Sequence, residues 1–143
     1  MTKTFEEIDH TADIALQVWG NNLEELFSNA AQGMYSLIHT SLDITGLDDW
    51  DFSASDQCAE NLLVEFLNEL NYCICIKKTL ICMPIELNIM QNPDMYTLKV
   101  KARSQHIPDN IFNELLEIKA VTYHDLDIKT DGDMLTAKII FDI

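Results

Sequence analysis

The chain has 143 residues, with 24 acidic and 9 basic side chains and a net charge of −15. That length suits a single domain over residues 1–143, able to bury about two thirds of its unfolded surface. A hydrophobic content of 48% excludes a disordered chain, and the strong negative charge repels phosphate backbones, so stable direct nucleic-acid binding is not expected and a cation or a protein partner is.

The opening MTKTFEEIDH has no apolar h-region, so no secretory signal is expected and the cytoplasm is the expected compartment. Phe5 to Ile8 reads as a short strand, followed by a polar turn from Asp9 to Asp13. Ile14, Leu16 and Val18 alternate with Ala15, Gln17 and Trp19, which predicts a strand closed by Gly20. Asn22 suits a helix N-cap, with Glu25 three residues on as in a capping box. Leu23, Leu26, Phe27, Ala30, Met34, Leu37 and Ile38 then recur at helical spacing, predicting a first helix to about His39.

Ser41 to Asp49 reads as an acidic loop, and Trp50, Phe52 and Ala54 as alternate residues of a strand. Ser55 or Asp56 is the expected cap of a second helix whose stripe is Leu62, Leu63, Phe66, Leu67 and Leu70. The apolar stretch 72–90 is broken by Lys77, Lys78, Pro84 and Glu86, which excludes a membrane span there. Cys58, Cys73, Cys75 and Cys82 form no CxxC pair and match no zinc spacing. They read as free, buried thiols.

Ile85, Leu87 and Ile89 alternate, Asn92-Pro93-Asp94 predicts a turn, and Tyr96, Leu98, Val100 and Ala102 return as a strand. Lys99, Lys101 and Arg103 point outward from that strand, as a solvated face balancing nearby acids. His106 to Asn113 is an expected loop. Glu117 to Ile143 predicts a closing hairpin with Asp131-Gly132 as a type I′ turn, which pairs Ile128 with Leu135, Leu126 with Ala137, His124 with Ile139 and Thr122 with Phe141. The terminal carboxylate of Ile143 is then expected beside Asp142 at the end of an ordered strand. The fold class expected is α+β: a two-layer sandwich, with a mostly antiparallel mixed sheet and two amphipathic helices on one face.

No Gly-rich phosphate loop, GxSxG elbow or HExxH helix occurs. The cysteines fall in apolar elements, which makes inert thiols of them. What remains is a set of oxygen-rich residues: Asp9, His10 and Asp13 in the first turn, and Asp142 with the Ile143 carboxylate at the end. Such donors select hard cations such as Ca2+ or Mg2+. The residues leave a plainer reading open, in which Asp13 caps its turn and Asp142 is surface.

HTADIALQVWG (His10 to Gly20) and LEELFSNAAQGMYSLI (Leu23 to Ile38) resemble the opening of the archease family. LLVEFLNELNY (Leu62 to Tyr72) resembles its second helix, and EIKAVTYHDL (Glu117 to Leu126) with FDI (Phe141 to Ile143) resembles its C-terminal signature. The resemblance spans nearly the whole chain. It implies a protein cofactor of the RtcB-type RNA ligase of tRNA splicing and RNA repair, which speeds ligase guanylylation, supports multiple turnover and broadens NTP use. It places a calcium-associated metal site on Asp13, Asp142 and Ile143, and the family's motif lysine on Lys119. Two departures stand out: Ala15 where the family often has Gly, and an unusual stretch from Cys73 to Ile85.

The expectation is therefore an activator of an RtcB-type RNA ligase rather than an enzyme, carrying Ca2+, Mg2+ or another hard divalent cation, with His10 and Lys119 as further functional candidates. Two other readings use the same residues. One is a small metal-dependent phosphoester hydrolase, and the other a metal-independent chaperone-like adaptor.

Overall fold

The computed structural model describes residues 3–8, 13–39 and 44–143. The elements run β1 (Phe5–Ile8), β2 (Ile14–Gly20), α1 (Leu23–Ile38), β3 (Asp48–Asp56), α2 (Ala59–Cys75), β4 (Thr79–Asn92), β5 (Met95–His106), α3 (Asp109–Phe112), β6 (Ala120–Val121), β7 (Lys129–Asp131) and β8 (Met134–Asp142). The α+β class stands, with every strand pairing antiparallel. The strands divide into two sheets. One has the order β1-β2-β8-β6, with β7 also on β8; the other has the order β3-β5-β4.

Local chemistry accounts for the first helix. Asn22 is extended, and its Oδ1 accepts from the Glu25 N–H at 2.8 Å. The Glu25 carboxylate reaches back to the Asn21 N–H at 3.3 Å, one residue before the cap, so the capping box closes on the preceding peptide. The second helix differs from expectation. Ser55 and Asp56 stay in β3, paired with Thr97 and Tyr96, so neither can take the N-cap geometry. Cys58 occupies that position without a side-chain bond of its own. Asp56 still serves the helix start, accepting from the Cys58 N–H and from Asn61 Nδ2, each at 3.1 Å.

The stretch from Cys73 to Ile85 is a helix end, a turn and a strand start. α2 ends at Cys75, Lys78 takes a left-handed φ of 50°, and β4 begins at Thr79. The β4–β5 register shifts between Cys82 and Glu86. Pro84 lies inside that interval and has no N–H to give to a ladder. Where a loop was expected after His106, Asp109–Phe112 forms one helical turn after Pro108.

α1 and α2 meet through Phe27 and Phe66, whose rings stack with centroids 6.0 Å apart. α1 lies against β2 and β4, and α2 against β4, β3 and β6, so each helix touches both sheets. A single buried cluster results, joining Leu16 and Val18 of β2, Ile139 and Phe141 of β8, and Leu98 and Val100 of β5 to the apolar faces of both helices. On the outer side of the second sheet, Lys101 lies in register between Asp51 and Glu86. Arg103 Nη1 sits 3.3 Å from the Asp49 carboxylate. Two of the three basic residues of this stripe thus face acids across the sheet, and Lys99 lies between the neutral Ser53 and Asn88.

The closing hairpin is not continuous. Asp131 pairs with Met134, so the turn residues are Gly132 and Asp133, one step later than expected. Gly132 alone has positive φ (+62°), as the first central position of a type II′ turn requires. Thr130, rather than Ile128, therefore pairs with Leu135. β6 pairs in a different register, with Val121 opposite Phe141. The seven residues between β6 and β7 absorb the difference in a loop with a left-handed Asp125 (φ 55°). A segment without a continuous ladder partner leaves the sheet, which is why Tyr123 and His124 project as an exposed loop.

Candidate functional site

The candidate site is built at one end of the first sheet. β2 and β8 come from opposite ends of the chain and pair from Ile14↔Phe141 to Gly20↔Leu135. Leu16 and Val18 join the buried core together with Phe141, Ile139 and Ala137, which holds this register against slippage. Asp13 directly precedes Ile14, and Asp142 directly follows Phe141, so both sit at the same end of the same strand pair. Alternation puts the Asp142 side chain on the face opposite the buried Phe141. Asp13 is half-buried and Asp142 exposed; Ile143 is 39% exposed.

β6 completes this end from the other side of β8. Ala120 pairs with Asp142, and the Lys119 N–H donates to the main-chain oxygen of Asp142 at 2.7 Å. Thr122 donates twice to the Ile140 carbonyl, from its N–H at 3.0 Å and from Oγ1 at 3.1 Å. The Lys119 side chain is exposed and lines a groove with Asn68, Asn71, Tyr72 and Glu117. Ile118 and Val121 are buried beside it and anchor the motif to the core.

Asp13 is thus brought to the sheet end that also carries Lys119, Asp142 and Ile143, although it lies at the other end of the sequence. His10 and Asp9 lie outside the described residues. Among the described residues, no three His, Cys, Asp or Glu side chains gather closely enough to hold a metal ion. The candidate set is therefore the Asp13 and Asp142 side-chain carboxylates, with Ile143 beside them. Its donors are all oxygen, which fits a hard cation and not a thiophilic one.

Cys73, Cys75 and Cys82 are unsuited to nucleophilic chemistry. Burial, with the Glu69 carboxylate beside it, pushes the Cys73 thiol up to about 11. Burial also raises Cys82, and burial with the charge of Glu117 raises Cys75. These thiols stay protonated at neutral pH.

Two residues that sequence reasoning passed over bear on this end. Asn68 of α2 meets the Val121 peptide with both ends of its amide. Nδ2 donates to the Val121 carbonyl at 3.2 Å, and Oδ1 accepts from the Val121 N–H at 2.9 Å. Asn71, one turn on, donates to the Ile118 carbonyl at 2.7 Å and is buried. The signal available in the sequence was two asparagines, poor helix formers, three apart inside an apolar helix.

Comparison with known proteins gives a consistent result. Residues 5–143 match the Archease protein family. The chain is similar to the protein archease of Methanosarcina acetivorans, at 32% identity over 142 residues, covering 99% of this chain and 97% of that one. It is similar to the protein archease of Saccharolobus solfataricus at 29% over 141 residues, covering 99% of each. Among solved structures, Methanobacterium thermoautotrophicum protein 1598 superposes with a TM-score of 0.82 at 26% identity, covering 99% of this chain and all of that one. A Thermotoga maritima protein described as an archease, possible chaperone, superposes with a TM-score of 0.59 at 25% identity, covering 100% and 98%.

Proposed function

The chain belongs to the archease family, and from that premise we propose that it is a non-catalytic, cytoplasmic protein activator of an RtcB-type RNA ligase, acting through a hard-cation site on Asp13, Asp142 and the Ile143 carboxylate. The observation that carries this reading is the Ile14↔Phe141 pairing, which brings the residues flanking it to one end of one sheet. Ca2+ is the favoured ion, with Mg2+ or another hard divalent cation as the alternative. When bound, a divalent ion would offset two of the three carboxylate charges and offer open coordination positions at an acidic tip. Three carboxylates leave part of a shell of roughly six to eight oxygens to water or to a partner. That incompleteness suits a protein that works by docking.

Activation in this reading is differential binding. The acidic end and the adjacent Lys119 stabilise the ligase arrangement that accepts the nucleotide over the resting one, and they shift the equilibrium only by that difference. Asp13 and Asp142 hold the cation, while the ladder pair behind them, half-buried Ile14 and buried Phe141, keeps the two chain ends from separating. Single-turnover guanylylation of the ligase tests the proposal. Asp13→Ala and Asp142→Ala are expected to abolish stimulation with the fold retained by circular dichroism. Normal stimulation by both variants would end it. A second reading, a metal-independent chaperone-like adaptor, draws support from the description of the Thermotoga maritima relative. Full stimulation in excess chelator would favour it.

A further inference from the structure

We infer that Asn68 and Asn71 are positioning residues, through which helix α2 sets the cation-binding end of the sheet. The inference rests on the cation site proposed above and adds to it the element that holds it in place. β6 has two residues and is the outermost strand at this end of β8. So short a strand offers few ladder bonds, and its outer edge leaves peptide groups that need partners.

Asn68 supplies them, because an amide side chain carries the same donor and acceptor as a peptide. It bonds both the N–H and the carbonyl of Val121, standing in for a further strand. Asn71 fixes the Ile118 carbonyl at 2.7 Å. Between these two anchors lies Lys119, whose N–H donates to the Asp142 carbonyl at 2.7 Å. The path is contiguous: α2 holds Ile118 and Val121, these hold Lys119, and Lys119 holds the backbone of Asp142. The hydrogen bonds of both asparagines go to the backbone of Val121 and Ile118, so their route to the site runs through residues 118–121.

Two readouts on the full chain test this: amide hydrogen exchange at Lys119, and calorimetric titration with CaCl2. Asn68→Ala is expected to speed Lys119 exchange about tenfold, as expected when the hydrogen bonds closing a local segment are lost. It is expected to weaken Ca2+ binding about tenfold or more, the range seen when an outer-shell partner of a metal ligand is removed. Asn68→Asp, which keeps only the acceptor to the Val121 N–H, is expected to fall between wild type and Asn68→Ala.

The control is Asn29→Ala. Asn29 donates to the Trp19 carbonyl at 2.8 Å, the same kind of helix-to-strand tie, at the far end of β2. It is expected to destabilise the fold comparably while leaving Ca2+ affinity and Lys119 exchange, corrected for global stability, unchanged. Unaltered Lys119 protection and Ca2+ affinity in Asn68→Ala would overturn the inference. So would an Asn29→Ala variant as defective in Ca2+ binding as Asn68→Ala. If the wild type binds no Ca2+, the cation reading fails alone, and the exchange data still decide whether α2 sets this end. Asn71→Ala serves as the second variant if Asn68→Ala does not fold.

Discussion

Ile14 and Phe141 are cross-strand partners, and Phe141 is fully buried against the helices. This contact joins the start of the chain to its finish, so its strength sets how firmly the acidic end is held. Phe141→Ala is expected to lower the unfolding free energy by about 3–5 kcal/mol, the range for removing a buried aromatic ring. It should also weaken Ca2+ binding, because Asp142 is the next residue. Phe141→Leu, which keeps most of the volume, should lose far less of both. Urea denaturation paired with Ca2+ titration measures both effects; an Ala variant with native affinity would show that the pairing does not organise the site.

The Ile143 carboxylate is part of the proposed donor set, and it can be removed without touching a side chain. One glycine added after Ile143 turns that carboxylate into a neutral amide. The extended chain is expected to melt at the native temperature but to bind Ca2+ more weakly. Equal affinities by calorimetry would remove Ile143 from the set and leave Asp13 and Asp142.

Gly20 ends β2 directly beside the first turn of α1. A Cβ there would lie 2.4 Å from the Leu26 nitrogen, 2.7 Å from its Cα and 2.9 Å from the Glu25 carbonyl carbon. All three are backbone atoms, so relief requires moving the helix start. Gly20→Ala is expected to cost about 3 kcal/mol. Asn22→Ala, which removes only the cap bond, should cost about 1 kcal/mol. Thermal unfolding of the two variants should preserve that order, and a harmless Gly20→Ala would refute the close approach.

Cys73 is buried and its thiol is raised from 9.0 to about 11. The unfolded chain therefore loses this proton first as pH rises. The folded state holds more protons between pH 9 and 11, so stability falls with rising pH across that window, and the contribution is complete below pH 9. At pH 8 the native thiolate fraction is about a hundredfold below that of a free cysteine, with a matching drop in alkylation rate. Iodoacetamide labelling followed by peptide mapping checks this, and labelling of native Cys73 at the free-cysteine rate would contradict it.

The Asn22 cap, the helical spacing from Leu23 to Ile38 and the alternation around Ile14, Trp50 and Leu98 are short-range patterns, and each marked its element correctly. The cap of α2 was misread because Ser55 and Asp56 are good capping types that pairing with Thr97 and Tyr96 keeps in a strand. The closing turn was misplaced by one residue because Asp131-Gly132 and Gly132-Asp133 are both plausible turn dipeptides, and only the ladder on β8 chooses between them.

Short-range pattern was enough to mark which residues face a core, where the first helix starts, and that the cysteines lie in apolar elements. Tertiary structure alone decided that the strands form two sheets, that Asp13 and Asp142 share one sheet end, and that Asn68 and Asn71 brace it. The physical reason is that hydrophobic periodicity records which way a side chain points. It carries no record of which distant strand will supply the hydrogen bonds, and that choice is made only when the whole apolar surface is buried at once.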